Sequence, residues 1–470
     1  MALTAPQGGF ITLLKNKNFL RLWLAQLISL TILFASNYGL LVLIEEVTGS
    51  TTLVGLAIIS FSLPALLFGA PAGVYVDRMN KRRVLWGSNC LRAIATFAFV
   101  VALLLNRHQL IPIYLLTFLI SCIGQFFTPA EGSSIPLLVD EDELVPALSL
   151  FNITLMLAQA LGFLLFAPLI LSLLPTFKIF SLVIDPVESL YTSVAVLYGV
   201  CAILIAMIPS ESFSQRARET RKPVNTQNLE IVSNMWTEMY QGWSFVRRNK
   251  QLFLAVIQLS FAGVLLLVIG ELATPIVTQL LHLPAKEMAF VFAPAGIGLV
   301  TGSILMPRIA RRLGKSRAVF TGSVVLALTT LLIPLITLLA QALQPDGWNT
   351  NPLLLLAVAL LMFLAGFALD FINIPALTAI QELTPDWIKG RVLALQLVLY
   401  NACAIPVILF IGAFADLFGL DRVIYFISIC ELAFGLWGIY YERKHPLVIP
   451  DIDQKEVEKT IETVNLPGKP

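Results

Sequence analysis

Twelve long apolar runs constrain this 470-residue chain more than any other feature. A bilayer core about 30 Å thick is crossed by about 20 residues of helix, and the runs meet that length at 19–44, 52–76, 84–105, 111–129, 147–172 and 189–209, then at 252–280, 287–307, 318–342, 352–380, 392–415 and 422–441. Their hydrophobicity is continuous rather than alternating, which excludes a transmembrane β-barrel. The expected fold is therefore an all-α polytopic membrane protein, twelve transmembrane helices in two pseudo-symmetric six-helix bundles. Composition agrees: 57% of residues are hydrophobic and 13% charged, against about 45–50% and about 25% in soluble domains.

The runs divide the chain into a cytoplasmic N-terminal segment (1–18), a first bundle (19–210), a cytoplasmic linker (211–250), a second bundle (251–445) and a cytoplasmic tail (446–470). The first run is longer than a signal-peptide core and lacks a small-residue cleavage site, so it reads as a retained helix. With both termini inside, all but five of the 31 Lys and Arg residues fall on the cytoplasmic side. Arg107, Lys178, Lys286 and Arg422 lie opposite, and Arg92 lies within the third helix. This asymmetry orients the chain. One connection runs against it, since Asp140, Glu141, Asp142 and Glu143 carry no basic neighbour.

The net charge of +2 gives no reason to expect a nucleic-acid partner. Five cysteines (Cys90, Cys122, Cys201, Cys403, Cys430) sit in apolar runs without metal-like spacing, and the three histidines (His108, His282, His445) sit in connections. No cofactor, metal centre or catalytic constellation is expected, which argues against an enzyme. Gly314-Lys315-Ser316 resembles the end of a phosphate-binding loop, but it follows a membrane helix and has Ile309 where the first glycine belongs. The Gly69/Gly73 and Gly298/Gly302 spacings read as close helix packing.

The halves echo one another. Arg78, Lys81 and Arg83 after the second helix match Arg312, Lys315 and Arg317 after the eighth at an offset of 234 residues, close to half of 470. Duplicated six-helix halves mark secondary transporters.

The stretch Gly73-Val-Tyr-Val-Asp77-Arg78-Met-Asn-Lys81-Arg82-Arg83 matches the loop motif G-x-x-x-D-R-x-x-[RK]-R-[RK], and on it the chain resembles the major facilitator superfamily. Further stretches resemble its macrolide-efflux and enterobactin-exporter branch: Asn18 to Trp23, Phe126 to Ala130 with Pro136 to Val139, Gly242 to Asn249, and Gln381 to Pro385 followed by Gly390-Arg391-Val392. The resemblance implies a monomeric, multi-pass transporter of the bacterial inner membrane. It would move a lipophilic drug-like or siderophore-like small molecule outward by alternating access, in exchange for protons, with the lipid bilayer as its surroundings. A lipid or lysolipid flippase, an importer of the same fold, and a non-transporting membrane receptor stay open. The motif implies a conformational latch made of Gly73, Asp77, Arg78, Lys81, Arg82 and Arg83, with Arg391 on the eleventh helix as the expected partner. Positive charge that merely retains the loop inside accounts equally for Lys81, Arg82 and Arg83.

Ionisable groups within a bilayer cost about 2.5–3.5 kcal/mol each on insertion scales, so each asks for a reason. The resemblance implies that helices 1, 4, 7 and 10 line the central cavity. Glu271 and Asp370 lie on helices 7 and 10 and are the expected proton-coupling pair, because a carboxyl taken from water can exchange protons as the cavity opens to either side. Pro275 and Pro375 follow them and free helical carbonyls nearby. Both also read as structural carboxyls. Arg92 and Glu431, on the outer helices 3 and 12, read mainly as structural charges. Asn89 stands where the branch often places an acid three residues before that arginine. Gln26, Asn37, Gln125, Phe126, Gln258 and Asn373 are candidates for the substrate cavity, or for interhelical hydrogen bonding.

Three features depart from the pattern. The Gly-Pro element of drug–proton antiporters is replaced in helix 5 by Gln159-Ala-Leu-Gly162-Phe163, and the helix 4 arginine by Gly124-Gln125. Glu131 stands where a base usually follows Pro129-Ala130, inverting the charge at the cytoplasmic mouth.

Overall fold

The computed structural model of the protein describes residues 10–140, 143–179, 182–213, 240–345 and 347–445. The helices of the first half are α1 (Lys17–Thr48), α2 (Thr51–Arg78), α3 (Lys81–Leu105), α4 (Leu110–Gly132), α5 (Leu144–Ala160, prolonged to Leu173) and α6 (Pro186–Ala206). Those of the second are α7 (Lys250–Pro275), α8 (Met288–Leu313), α9 (Lys315–Leu343), α10 (Pro352–Leu383), α11 (Asp386–Phe418) and α12 (Leu420–Lys444). All 12 are long and apolar enough to cross a membrane.

Local sequence sets the helix ends. Asn16, Asn80, Asn249 and Asn351 each precede a helix and accept hydrogen bonds from its first free N–H groups. Gly314 (φ 81°) and Gly419 (φ 92°) are the single residues between α8 and α9 and between α11 and α12. A one-residue reversal at that φ favours glycine. The helices outrun the apolar segments seen in sequence. α1 continues past residue 44 through Glu45 and Glu46 until the Gly49 N–H closes on the Glu45 carbonyl at 2.8 Å. α5 contains a π-helical turn, Leu161–Phe166, where Gly162 lets the helix approach α1: a Cβ there would stand 2.7 Å from Phe34 Cβ. A short antiparallel hairpin, Phe177–Ile179 with Leu182–Ile184, occupies the α5–α6 connection.

Apolar side chains face outward as well as inward. On α3, Leu91, Ile94, Phe97, Val101 and Leu105 form an exposed stripe, while Asn89, Arg92, Thr96 and Phe99 are buried behind it. This inverts the pattern of a soluble helix and matches a lipid-facing surface around a polar interior.

The alternation of direction puts the starts of α1 and α7 on one face, here the terminal face, with the α1–α2, α7–α8 and α11–α12 connections on the far face. Core packing differs between the two. Towards the far face one cluster joins both halves, including Leu40 and Ile44 of α1, Val54 and Ile58 of α2, Val268 and Leu272 of α7, and Ile408 and Ile411 of α11. Towards the terminal face each half keeps its own core, around Phe19, Val76, Phe127 and Cys201 in one, and around Leu252, Ile380, Ile388 and Val392 in the other. The Gly298/Gly302 spacing packs α8 against α10, with Gly298 on the Phe363 and Phe367 backbone and Gly302 on Asp370.

Candidate functional site

The far-face seam between the halves is built from polar side chains. Asp416, near the end of α11, accepts from Ser50 Oγ (2.5 Å) and from the backbone N–H groups of Thr51 (2.7 Å) and Thr52 (3.1 Å). One half thereby caps the first turn of a helix in the other, meeting donors that α2 cannot satisfy internally. Glu45 Oε1 accepts from Thr278 Oγ1 (2.5 Å) and Gln279 Nε2 (3.1 Å) of the second half. The Tyr38 hydroxyl donates to the Lys286 carbonyl (3.1 Å) and accepts from the Ala289 N–H (3.2 Å).

Glu271 lies inside this seam. It is fully buried, and among the described residues neither carboxylate oxygen has a hydrogen-bond partner. The side chain points between α2 and α11 into space left by two glycines. A Cβ on Gly55 would overlap the carboxylate, and one on Gly412 would stand 2.8 Å from Oε1. Pro275 removes the N–H that would bond the Glu271 carbonyl, and α7 ends beyond it in a π-helical turn, Ile276–Leu280. That turn carries the Thr278 and Gln279 side chains to Glu45.

Asp370 occupies a different place. It is 3% exposed on α10, where its Oδ2 accepts from Ser303 Oγ of α8 at 2.7 Å and its Cβ lies over Gly302. Ser303 itself is exposed, so the carboxyl is one hydrogen bond from the surface of the second half. The two acids singled out in sequence thus stand at separate sites. Glu431 is buried on α12 facing α9, where Thr330 approaches its carboxyl.

The amides divide. Asn37 lines a narrow recess with Ser36, Thr117, Ser121 and Tyr191, between α1, α4 and α6. Gln125 donates to the Ser121 carbonyl of its own helix (3.3 Å). Gln26 is buried and reaches the Phe151 carbonyl of α5 at 3.5 Å, Phe126 packs against the terminal-face core, and Gln258 is buried beside Gly438 of α12. Asn373 is half-buried on α10.

Arg92 is 3% exposed. Its Nη1 donates to Ser29 Oγ (3.2 Å), and its guanidinium lies 5.1 Å from the Phe127 ring centroid and 5.5 Å from that of Tyr198. Glu131 lies within electrostatic range of it. Sequence placed Glu131 at the cytoplasmic mouth, but the structure buries it, 2% exposed, under α1, α5 and Ile135. Hydropathy registers only where a run ends, and the chain folds back over this one.

Of the expected latch, the Asp77 and Arg78 side chains lie outside the described residues, and a Cβ added at Gly73 would find open space among the described residues. Lys81 Nζ donates to the Val76 carbonyl and Arg82 Nη2 to the Ala206 carbonyl, each at 2.6 Å, while Asn80 caps the Arg83 N–H. Arg391 donates to Gln241 Oε1 (2.9 Å), and its backbone lies against Gly242. Lys315, the repeat counterpart of Lys81, pairs with Glu382. Sequence reading missed Glu45 and Asp416, which close the apolar runs of α1 and α11. The unaccompanied Ser50-Thr51-Thr52 helix start was the signal for a capping acid from elsewhere.

Comparison with known proteins follows the same lines. Macrolide efflux protein A of Streptococcus pyogenes is 24% identical over 239 residues, 50% of this chain and 52% of that protein, so the match spans about half the length of this relative. The uncharacterised transporter YfiS of Bacillus subtilis (strain 168) is 23% identical over 337 residues, 72% of each chain. The nucleoside transporter NupG shares the fold with TM-score 0.67 at 13% identity, over 91% of this chain and 99% of that one. An inward-facing, unoccupied bacterial homologue of the human lysosomal transporter Spinster shares it with TM-score 0.64 at 12% identity, over 91% and 96%. A Major Facilitator Superfamily model matches residues 22–405, and the chain belongs to that superfamily: it is a multi-pass membrane transporter rather than an enzyme.

Proposed function

We propose that this transporter exports a lipophilic, drug-like or siderophore-like small molecule across a bacterial inner membrane in exchange for protons. The observation that carries the reading is the Glu271 carboxyl, sealed without a partner in the far-face seam. A carboxylate buried without hydrogen bonds is too costly to leave charged, so the seam closes on the neutral acid. The excess of Lys and Arg at the terminal face puts that face in the cytoplasm. The halves are then joined outside and keep separate cores inside, which is the state that takes up substrate from the cytoplasm. Opening outward parts α2 and α11 from α7 and exposes Glu271 to the outer medium. Closing again requires a proton from that side. The exchange balances only if that proton leaves towards the cytoplasm before the seam reopens, and Asp370 of the same half, hydrogen-bonded to Ser303, is the carboxyl assigned to receive and release it. Apolar and aromatic walls with few polar groups suit a lipophilic cargo, and the likeness to macrolide efflux protein A supports the direction.

The test is accumulation of macrolides, dyes and siderophores in an efflux-deficient bacterium expressing wild type, Glu271→Gln or Asp370→Asn, with and without an uncoupler. Wild type is expected to lower accumulation of at least one compound, and each substitution and the uncoupler to abolish this. Lowering that survives the uncoupler rules out proton exchange. Unchanged accumulation with the protein in the membrane rules out export of these compounds.

A further inference from the structure

We propose that Glu131 is a second proton-carrying carboxyl, placed in the first half and governed by Arg92. The inference rests on the proton-exchange reading above but concerns a site in the other half from Glu271 and Asp370, at the terminal-face end of α4.

Three observations converge on Glu131. Its carboxyl is 2% exposed, and Oε1 has no hydrogen-bond partner. It lines a small recess of about 10 Å³ with Phe19, Trp23, Gln26 and Phe151, on the scale of a single water molecule. Arg92 is the charged group that faces it, and Tyr198 and Cys201 are the other titratable groups of the cluster. Cys201 Sγ is engaged with the Ala25 carbonyl (3.4 Å).

Arg92 and Glu131 do not form a direct ion pair. The guanidinium stays on Ser29 and over the Phe127 and Tyr198 rings, and Arg92 Nε, like Glu131 Oε1, is unpartnered. A purely structural pair would close, because two separated buried charges each keep their desolvation cost. Left open beside a water-sized recess, Glu131 can take or release a proton while Arg92 stays fixed. The recess lies between α1, α4 and α5, and Phe19 and Leu22 of its wall lie in the terminal-face core of the first half. Protonation therefore changes the charge inside the terminal-face core of the first half.

Trp23, in the wall of the same recess, is a built-in reporter. Purified wild type is titrated from about pH 5 to 9 by tryptophan fluorescence beside Trp23→Phe, Glu131→Gln, Arg92→Gln and Cys201→Ser. The expected result is a transition that disappears in Trp23→Phe and Glu131→Gln and persists in Cys201→Ser. In Arg92→Gln it moves by about one pH unit or more to higher pH, as loss of a neighbouring positive charge requires. The double variant Arg92→Gln with Glu131→Gln, which leaves no lone buried charge, is expected to fold and to show no transition even if a single variant does not. Proton-driven efflux by Glu131→Gln is measured alongside and is expected to be lost. An unchanged transition in Glu131→Gln or the double variant, or no Trp23-dependent transition in wild type, overturns the inference and leaves export through Glu271 standing. A transition lost with Glu131, in a protein whose transport ignores uncouplers, keeps the proton site and overturns the exchange reading.

Discussion

At the scale of single residues, the seat of Glu271 depends on what Gly55 and Gly412 lack. An added methyl at Gly55 meets the carboxylate and stands 2.9 Å from Ile408 Cγ2, and one at Gly412 stands 2.7 Å from the Thr52 Cα. Overpacking of this kind costs about 1–3 kcal/mol. Because the strain exists only while the seam is closed, it shifts the two-state balance towards the outward-open form by roughly 5–150-fold. Val54, fully buried beside Gly55, reports the change. In a background without native cysteines, Val54→Cys is expected to resist an impermeant maleimide added outside, and to react faster when Gly55→Ala or Gly412→Ala is added. Equal labelling rates would show that the glycines do not hold the closed state. The same probe reads proton linkage. On the proposed reading the closed seam holds a proton on Glu271 that is lost once Glu271 meets the outer medium, so closure is favoured as pH falls. Labelling should slow on acidification by more than thiol chemistry alone requires, and Glu271→Gln should remove the excess.

Among elements, α2 is coupled to α11 at one end and, by the resemblance, latched to it at the other. Replacing Asp416 with Ala removes three accepted hydrogen bonds at the start of α2. Loss of a helix cap costs about 0.5–2 kcal/mol, here charged to the closed seam alone, so Asp416→Ala should raise Val54→Cys labelling while leaving expression intact. At the other end, Asp77→Asn is expected to slow transport without loss of folded protein, and unchanged rates would remove Asp77 from any latch. The twelve helices were legible in sequence because a bilayer demands about 20 apolar residues whatever the neighbours are. Glu271 and Asp370 were legible because charge is rare in such runs. Their surroundings were not, since hydropathy orders residues along a helix and says nothing about which helix lies opposite. Asp416 and Glu45 went unmarked for that reason, as run ends that turn out to grip the other half. Glu131 was seen but placed at an open mouth, because the return of the chain over it is tertiary.

For the whole molecule, the side from which the described state loads hangs on orientation. The closed seam is at the far face whatever membrane holds the protein, so the state described takes up substrate from whichever compartment the terminal face meets. On the proposed orientation that compartment is the cytoplasm, with Arg107, Lys178, Lys286 and Arg422 the exceptions on the far face. Two of these have local work there: Arg107 bridges Glu46 (3.1 Å) and Asp185 (2.8 Å), tying α3 to α1 and the start of α6, and Lys286 lends its carbonyl to Tyr38. The Arg107 charge thus has a structural role on the far face, whereas the Lys286 contact engages only its backbone. Alkaline phosphatase, active only outside the cytoplasm, fused after His108 is expected to be active, and fused after Asn80 to be inactive. The reverse pattern would put the sealed Glu271 seam on the cytoplasmic side and make the state described one that loads from outside. Under proton exchange the inward proton gradient would still drive the cargo outward, so this pair of fusions decides which compartment the sealed seam faces and from which side the described state loads.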